Sequence, residues 1–129
     1  MAKVLICDPV AQDALEKVRA AGHQVTEKHD MTPEELVETV PDFEAMVVRS
    51  ATKVRRNVVE KAAGGSMKLV VRGGVGLDNI DLDAAAEHGI EVRNTPAASS
   101  IAVAELALAH MLAASRYVAV ADRTMKQGQ

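Results

Sequence analysis

The sequence predicts an α/β fold, in which a doubly wound parallel sheet is followed by one long C-terminal helix. Short apolar runs alternate with amphipathic segments over residues 1–98, which is the order of a parallel sheet covered by helices on both faces. One apolar run leads directly into three closely spaced glycines, as a buried strand does before a ligand-binding loop. From Ser99 or Ser100 a helical pattern runs unbroken to about Lys126.

The first half of the chain gives a strand, a helix, an edge strand and a second helix. An apolar strand covers residues 3–7, and Asp8 is placed to cap the helix that follows. Residues 24–28 alternate in polarity, as expected of an edge-like strand. Thr32 and Glu35 have the spacing of a capping box, so the next helix begins there.

Three further strands complete the predicted sheet. Residues 45–48 form the third strand, which ends before Arg49, and a helix over residues 54–63 leads to the fourth strand at residues 69–72. The fifth strand covers residues 90–93. Five strands with connecting helices suggest a flavodoxin-like winding with the sheet order 2-1-3-4-5. Ligands of such sheets bind beyond the carboxyl ends of the strands near the point where the order reverses.

The strongest candidate site is the glycine-rich loop after the fourth strand. Gly73, Gly74 and Gly76 can fold the backbone tightly and present consecutive N–H groups to an anion. Arg72 before the loop and Arg49 after the third strand each carry a planar guanidinium that matches a carboxylate or phosphate. We therefore expect an anion site built from both arginines and the loop.

The same loop is not the fingerprint of a dinucleotide site. After Gly74 and Gly76, Asn79 occupies the position at which the GxGxxG motif has its third glycine. The next helix is also delayed, with Asp81 as its predicted N-cap and Gly89 as its end. The sequence thus offers an anion-binding loop without the helix placement that a pyrophosphate requires.

Other kinds of site find little support in the sequence. The four histidines have no spacing suited to a metal, and the serines lack a neighbouring base, so neither a metal centre nor nucleophilic catalysis is expected. A net charge of −3 and only two aromatic residues, one Tyr and one Phe, argue against nucleic acid as a partner.

The expected compartment is a reducing cytoplasm. The single cysteine, Cys7, cannot form an internal disulfide. The chain opens on a strand without the apolar region of a signal peptide, and no membrane span is expected, because the apolar residues 101–121 include Glu105, His110 and Arg116.

Four segments, in this order along the chain, resemble the D-isomer-specific 2-hydroxyacid dehydrogenases. They are Arg49-Ser50-Ala51-Thr52-Lys53, Val71-Arg72-Gly73-Gly74-Val75-Gly76-Leu77-Asp78-Asn79-Ile80-Asp81, Asn94-Thr95-Pro96 and Val103-Ala104-Glu105-Leu106. The likeness extends over essentially all of the chain but covers only the front of such enzymes. It implies a substrate-binding domain at residues 1–98 and, at residues 99–129, a crossover helix that dimerises and leads to an absent nucleotide-binding domain.

The resemblance also implies roles for individual residues. The substrate, a small and phosphorylated 2-hydroxy acid, would be bound by Arg49, Ser50, Arg72, Gly73, Gly74 and Gly76. NAD would be contacted by Val75 and Val103 and held mainly by the absent domain. The histidine, glutamate and further arginine that carry out hydride transfer in the family cannot be mapped here, so this chain contains no catalytic residue and is expected to be inactive alone.

Two other function classes remain as alternatives, besides a different 2-hydroxy acid as substrate. A signalling receiver has the same winding but requires a carboxylate after the third strand and a lysine after the fifth, where this chain has Arg49 and Asn94. A non-catalytic interaction module that dimerises through the long helix is compatible with the dehydrogenase interpretation.

Overall fold

The computed structural model describes residues 1–128, which divide by their internal contacts into one unit over Met1–Pro96 and a second from Ala97 onward. The first unit is the α/β sheet. Its elements are β1 (Lys3–Ile6), α1 (Gln12–Ala20), β2 (Gln24–Glu27), α2 (Pro33–Thr39), a 3₁₀ turn (Val40–Asp42), β3 (Ala45–Val48), α3 (Arg56–Ala63), β4 (Leu69–Arg72), α4 (Leu82–Glu87) and β5 (Glu91–Asn94).

The predicted winding is confirmed. The strands of the described chain form one parallel sheet in the order β2-β1-β3-β4-β5. The order reverses between β1 and β3, because the chain first steps from β1 to β2 and then crosses back. The carboxyl ends of β1, β3 and β4 therefore share one edge of the sheet at the point where such folds bind ligands.

Alternation along the strands separates the core into two layers. Leu5 and Met46 are fully buried on the face covered by α2, α3 and α4, where they pack with Val70. Val4 and Ile6 point to the opposite face and pack against Leu15 of α1. Successive side chains of a strand face opposite sides, so the central strands β1 and β3 contribute to both layers.

Of the helix starts predicted in the first unit, two are confirmed, one is wrong and one lies two residues later than expected. Thr32 and Glu35 form the expected capping box, and the Asp81 carboxylate accepts the Ala84 N–H at 2.9 Å. Asp8, however, does not cap α1, whose N-cap is Ala11, because its carboxylate is occupied by a neighbouring loop. Helix α3 begins at Arg56 rather than at residue 54, since residue 54 pairs with residue 80 as an isolated parallel bridge.

The second unit consists of α5 (Ser100–Ser115) and α6 (Val118–Lys126), which are bent by 60° relative to each other. The prediction of a helix unbroken to Lys126 was wrong. The Ser115 hydroxyl donates to the Leu112 carbonyl at 2.9 Å, and Tyr117 adopts a left-handed φ of 54°, which ends α5. Ser99 occupies the N-cap of α5, although its side chain makes no capping bond.

The apolar side chains of the second unit are exposed. Within residues 1–128 no single helix is long and apolar enough to cross a bilayer, whereas the bent pair α5 and α6 meets that test by length and composition. The exposed large apolar residues of these helices and their junction are Ile101, Val103, Leu106, Leu108, Met111, Leu112, Tyr117, Val118, Val120 and Met125.

Candidate functional site

The carboxyl edge of the sheet brings together the residues that the sequence singled out. Asp8 follows β1 by two positions, Arg49 follows β3 directly, and Arg72 is the last residue of β4. The register aligns Val48 of β3 with Arg72 of β4, so the two arginine-bearing ends are neighbours. The loop of Gly73, Gly74 and Gly76 starts at this same edge.

Asp8 organises the loop after β3. Its side chain is only 5% exposed, and one carboxylate oxygen accepts the Arg49 N–H and, at 3.4 Å, the Thr52 N–H. The other oxygen accepts the Thr52 hydroxyl at 3.0 Å. The N–H groups of Ser50 and Ala51, between these anchors, have no acceptor in the described part of the chain. Both residues are exposed.

The two arginine side chains flank the glycine loop. A Cβ added to Gly73 would lie 3.4 Å from Arg49 Cγ, and one added to Gly74 would lie 2.9 Å from Arg72 Cζ. The second distance is shorter than Cβ contacts in real proteins, and Gly74 also has a φ of +155°. A side chain at position 74 would be strained at this φ, and it would also displace the Arg72 guanidinium.

The hydrogen bonds of the loop show which donors remain for an anion. Gly73 donates its N–H to the Val48 carbonyl at 2.8 Å, and Gly74 donates to the Arg72 carbonyl at 2.9 Å. Two of the three predicted glycine donors are therefore used inside the chain. The N–H groups of the next three residues, Val75, Gly76 and Leu77, have no acceptor within residues 1–128.

The end of β5 holds the loop from the other side. Asn94 donates its side-chain N–H to the Val75 carbonyl at 2.6 Å, and the Thr95 N–H bonds to the Gly74 carbonyl at 3.0 Å. The sequence indicated these two residues only through the family-like segment 94–96. Their contacts hold two carbonyls of the loop in place, so they do not occupy its N–H groups.

Asn79 is the buried polar residue that the sequence analysis left without a role. It is 1% exposed, and its amide nitrogen donates to the carbonyls of Arg49 at 2.7 Å and Thr52 at 2.8 Å. The signal that could have revealed it is its position, since an amide in place of a motif glycine needs its own hydrogen-bond partners when buried.

Among the described residues, none accepts a hydrogen bond from the Arg72 guanidinium, and only Pro9 accepts one from that of Arg49. Arg72 Nε is buried without an acceptor in the described chain, and Arg49 is exposed, with one guanidinium N–H donated to the Pro9 carbonyl at 3.3 Å.

Burial, reinforced by the neighbouring Asp8 charge, raises the pKa of the Cys7 thiol from 9.0 to about 12. Cys7 is thus a neutral core residue at physiological pH and not a nucleophile.

The remaining two candidates lie on different units. Val75, at the tip of the glycine loop, is 49% exposed and offers a small apolar surface beside the free N–H groups. Val103 lies on α5 in the second unit and is 61% exposed. The arrangement in the first unit can bind a small anion through two guanidinium groups and backbone donors, and it places an apolar contact next to them.

Comparison with known proteins identifies the family of the chain. The model of the D-isomer specific 2-hydroxyacid dehydrogenase catalytic domain matches residues 4–127. D-3-phosphoglycerate dehydrogenase of Archaeoglobus fulgidus is 45% identical over 127 residues, which are 98% of this chain and 24% of that protein. Hydroxypyruvate reductase of Thermotoga maritima is 41% identical over 128 residues, covering 98% of this chain and 41% of that protein.

A solved structure gives the same result at the level of the fold. The NAD⁺-bound 3-phosphoglycerate dehydrogenase of Entamoeba histolytica superposes with a TM-score of 0.74 at 29% identity, over 87% of this chain and 38% of that one. The chain thus spans about a quarter of the length of the D-3-phosphoglycerate dehydrogenase from Archaeoglobus fulgidus. The resemblance inferred from the four sequence segments is confirmed.

Proposed function

Because the chain belongs to the D-isomer specific 2-hydroxyacid dehydrogenases, we propose that it forms the substrate-binding part of an NAD-dependent oxidoreductase. The substrate we propose is 3-phospho-D-glycerate, oxidised to 3-phosphohydroxypyruvate at the start of serine synthesis. Relatives 45% and 46% identical to this chain bear the name D-3-phosphoglycerate dehydrogenase. The observation that carries the proposal is the pair of arginines beside a loop whose N–H groups at residues 75–77 have no acceptor in the described chain.

The geometry suits a substrate with two anionic groups. Arg49 and Arg72 supply separate guanidinium groups beside the loop, so one can bind a phosphate and the other a carboxylate. Ser50 adds a hydroxyl and a backbone N–H beside Arg49, and Gly76 adds an N–H beside Val75. Gly73 and Gly74 contribute close approach of the backbone, because their N–H groups are already used.

NAD, when bound, would accept the hydride from the substrate. The residues of this chain that fit a contact with it are Val75, which is apolar and half exposed next to the anion site, and Val103, which is exposed on α5. The role of Val75 would be to exclude water and to orient the nicotinamide edge. The anion site, in turn, would hold the substrate carbon in a fixed position toward the cofactor.

The direct test of the proposed substrate is a comparison of 3-phospho-D-glycerate with D-glycerate. The test follows the amide chemical shifts of Ser50, Ala51 and residues 75–77 during titration of this chain with each acid. The dissociation constant of the phosphorylated acid is expected to be at least tenfold lower than that of D-glycerate. The reason is that the phosphate engages an additional charged group, worth about 1.5–3 kcal/mol. Equal affinities for the two acids would contradict a phosphate subsite.

Hydride transfer is not expected from these residues by themselves. The sequence contains no GxGxxG, and the family's catalytic histidine and glutamate have no counterpart that we can map. Mixing the purified chain with 3-phosphoglycerate and NAD should therefore produce no NADH absorbance above that of a heat-denatured control. Turnover that persists through repurification would show that the chain holds its own catalytic group.

A second candidate is a hydroxypyruvate or glycerate enzyme. It is favoured by the 41% identity to hydroxypyruvate reductase of Thermotoga maritima, of which the chain covers a larger share. That function needs a carboxylate site but no phosphate site. The titration above separates the two, because a tighter fit to the unphosphorylated acid would select this candidate.

We further propose that a second copy of this chain covers the exposed apolar side chains of α5 and α6. Leu108 and Met111 are 60% and 66% exposed, and an apolar surface of this kind usually marks an interface. Full burial of one such side chain contributes about 1.5–3 kcal/mol, so several of them can offset the cost of association. A two-fold homodimer is the commonest closed arrangement.

Leu108→Lys is expected to convert the dimer into a monomer. The lysine would place an unpaired charge in an apolar interface, which costs more than the contact it replaces. Sedimentation velocity at micromolar concentration checks the result, and Gln12→Lys on exposed α1 is the matched control that should leave the dimer intact. A wild-type chain that is monomeric at high micromolar concentration would refute the proposed interface.

A further inference from the structure

We propose that Asn79 is a positioning residue that locks the two arginine-bearing loops into one rigid unit, and that the anion site depends on this lock. The inference rests on the proposed function of the site and adds a residue that does not touch the ligand. It follows from the contacts of the buried amide, which connect the glycine loop to the loop after β3.

The amide bridges two loops that are far apart in the sequence. Asn79 Nδ2 donates to the Arg49 carbonyl at 2.7 Å and to the Thr52 carbonyl at 2.8 Å. Its own backbone carbonyl accepts the Val54 N–H at 2.8 Å. One residue of the glycine loop therefore holds both ends of the turn that carries Ser50.

Arg49 is fixed on both sides of its Cα. Its N–H is bound by the Asp8 carboxylate after β1, and its C=O is bound by the Asn79 amide. Both partners are buried, at 5% and 1% exposure, so water does not compete with these bonds. When the N–H and C=O of one residue are both held, its φ and ψ are set, and so is the direction in which its side chain leaves the backbone.

The chemistry of the position requires an amide. Two carbonyl oxygens need two donors, and an Asn NH₂ group supplies both from one atom. Asn79 Oδ1 is buried and has no partner within residues 1–128, so the amide serves here as a donor. A carboxylate of the same shape would instead set its oxygen against two carbonyls and open the loop.

The main chain has its own attachments between these segments. Val54 and Ile80 form a parallel bridge, and the Asp81 N–H bonds to the Val54 carbonyl at 2.9 Å. These bonds lie beyond the turn of residues 49–52 and do not involve Asn79 Nδ2. Replacing the amide should thus release the turn while the sheet and α4 stay folded.

The test compares Asn79→Asp with Asn57→Asp, which makes the same chemical change at an exposed position of α3. Without ligand, amide hydrogen exchange at Arg49 and Thr52 is expected to be at least tenfold faster in Asn79→Asp, whereas the Cys7 N–H, bonded to Val47, keeps its wild-type rate. With inorganic phosphate as the probe, the dissociation constant should rise at least tenfold in Asn79→Asp and remain unchanged in Asn57→Asp.

Each result decides one part of the proposal. Unchanged exchange at Arg49 and Thr52 overturns the lock, and faster exchange with unchanged phosphate affinity overturns the dependence of the site on it. A wild-type chain that does not bind phosphate refutes the proposed function and with it that dependence, while the exchange data still decide whether the lock exists. Faster exchange at Cys7 as well would show a general loss of structure and overturn the positioning role.

Discussion

Arg72→Ala is expected to abolish detectable binding of phosphate to this chain. The substitution removes a guanidinium that the backbone of Gly74 lies against and that sits beside the free N–H groups of the glycine loop. Loss of one charge-assisted contact costs about 1.5–3 kcal/mol, which raises the dissociation constant by roughly 10- to 150-fold. Because an isolated anion site in water starts from weak affinity, that factor moves binding out of the measurable range.

The measurement is a phosphate titration followed by amide chemical shifts of residues 72–77. Arg72→Lys keeps the charge but loses the planar fork, so it should retain part of the affinity. Arg19→Ala is the matched control, since Arg19 lies near the end of α1, before β2, and pairs with Glu27 at 2.9 Å. If phosphate shifts no amide of residues 72–77 in the wild-type chain, the assignment of the site is wrong.

Gly65→Ala is expected to destabilise the fold markedly. A Cβ at this position would lie 2.7 Å from Cα and 2.8 Å from the carbonyl carbon of Pro41, so two backbone segments would have to separate. Overpacking of this kind costs about 1–3 kcal/mol and sometimes more, because backbone cannot yield as a side chain does. For a domain of this size, each kcal/mol lowers the melting temperature by about 4–8 °C.

The neighbouring glycine supplies the control. A Cβ on Gly64 would lie 3.4 Å from the Lys61 carbonyl oxygen, and Gly64 has a helical φ of −68°. Gly64→Ala should therefore be neutral or stabilising by about 0.4–1 kcal/mol, since alanine reduces the freedom of the unfolded chain. Thermal and urea unfolding followed by circular dichroism compare the two variants, and equal melting temperatures would contradict the close approach of Pro41.

Much of the fold was readable because local signals and tertiary packing agree. The capping box of Thr32 and Glu35 and the cap at Asp81 use side chains that bond within their own helix, so their spacing in the sequence suffices. Alternating strands and helices constrain the winding, since crossovers between parallel strands follow few topologies. The sheet order was predicted on this basis and is confirmed.

Errors occurred where a side chain bonds to a distant segment or where a helix ends without a recognised signal. Asp8 has the position of an N-cap, but its carboxylate reaches across the sheet edge to Arg49 and Thr52. The break after Ser115 involves no glycine or proline, because Tyr117 takes the left-handed conformation that glycine usually supplies. Local patterns contain neither kind of information.

The sequence by itself determined the parallel α/β fold, the family, and the two arginines and glycine loop as the candidate anion site. Only the tertiary structure decided which N–H groups of that loop have no acceptor within the described residues. It also decided that Gly65, unlike the adjacent Gly64, admits no side chain. It also gave Asn79 a role, through bonds to residues 30 and 27 positions away. The physical reason is that composition and periodicity report local preference, whereas the partner of a buried donor depends on which distant backbone the fold brings against it.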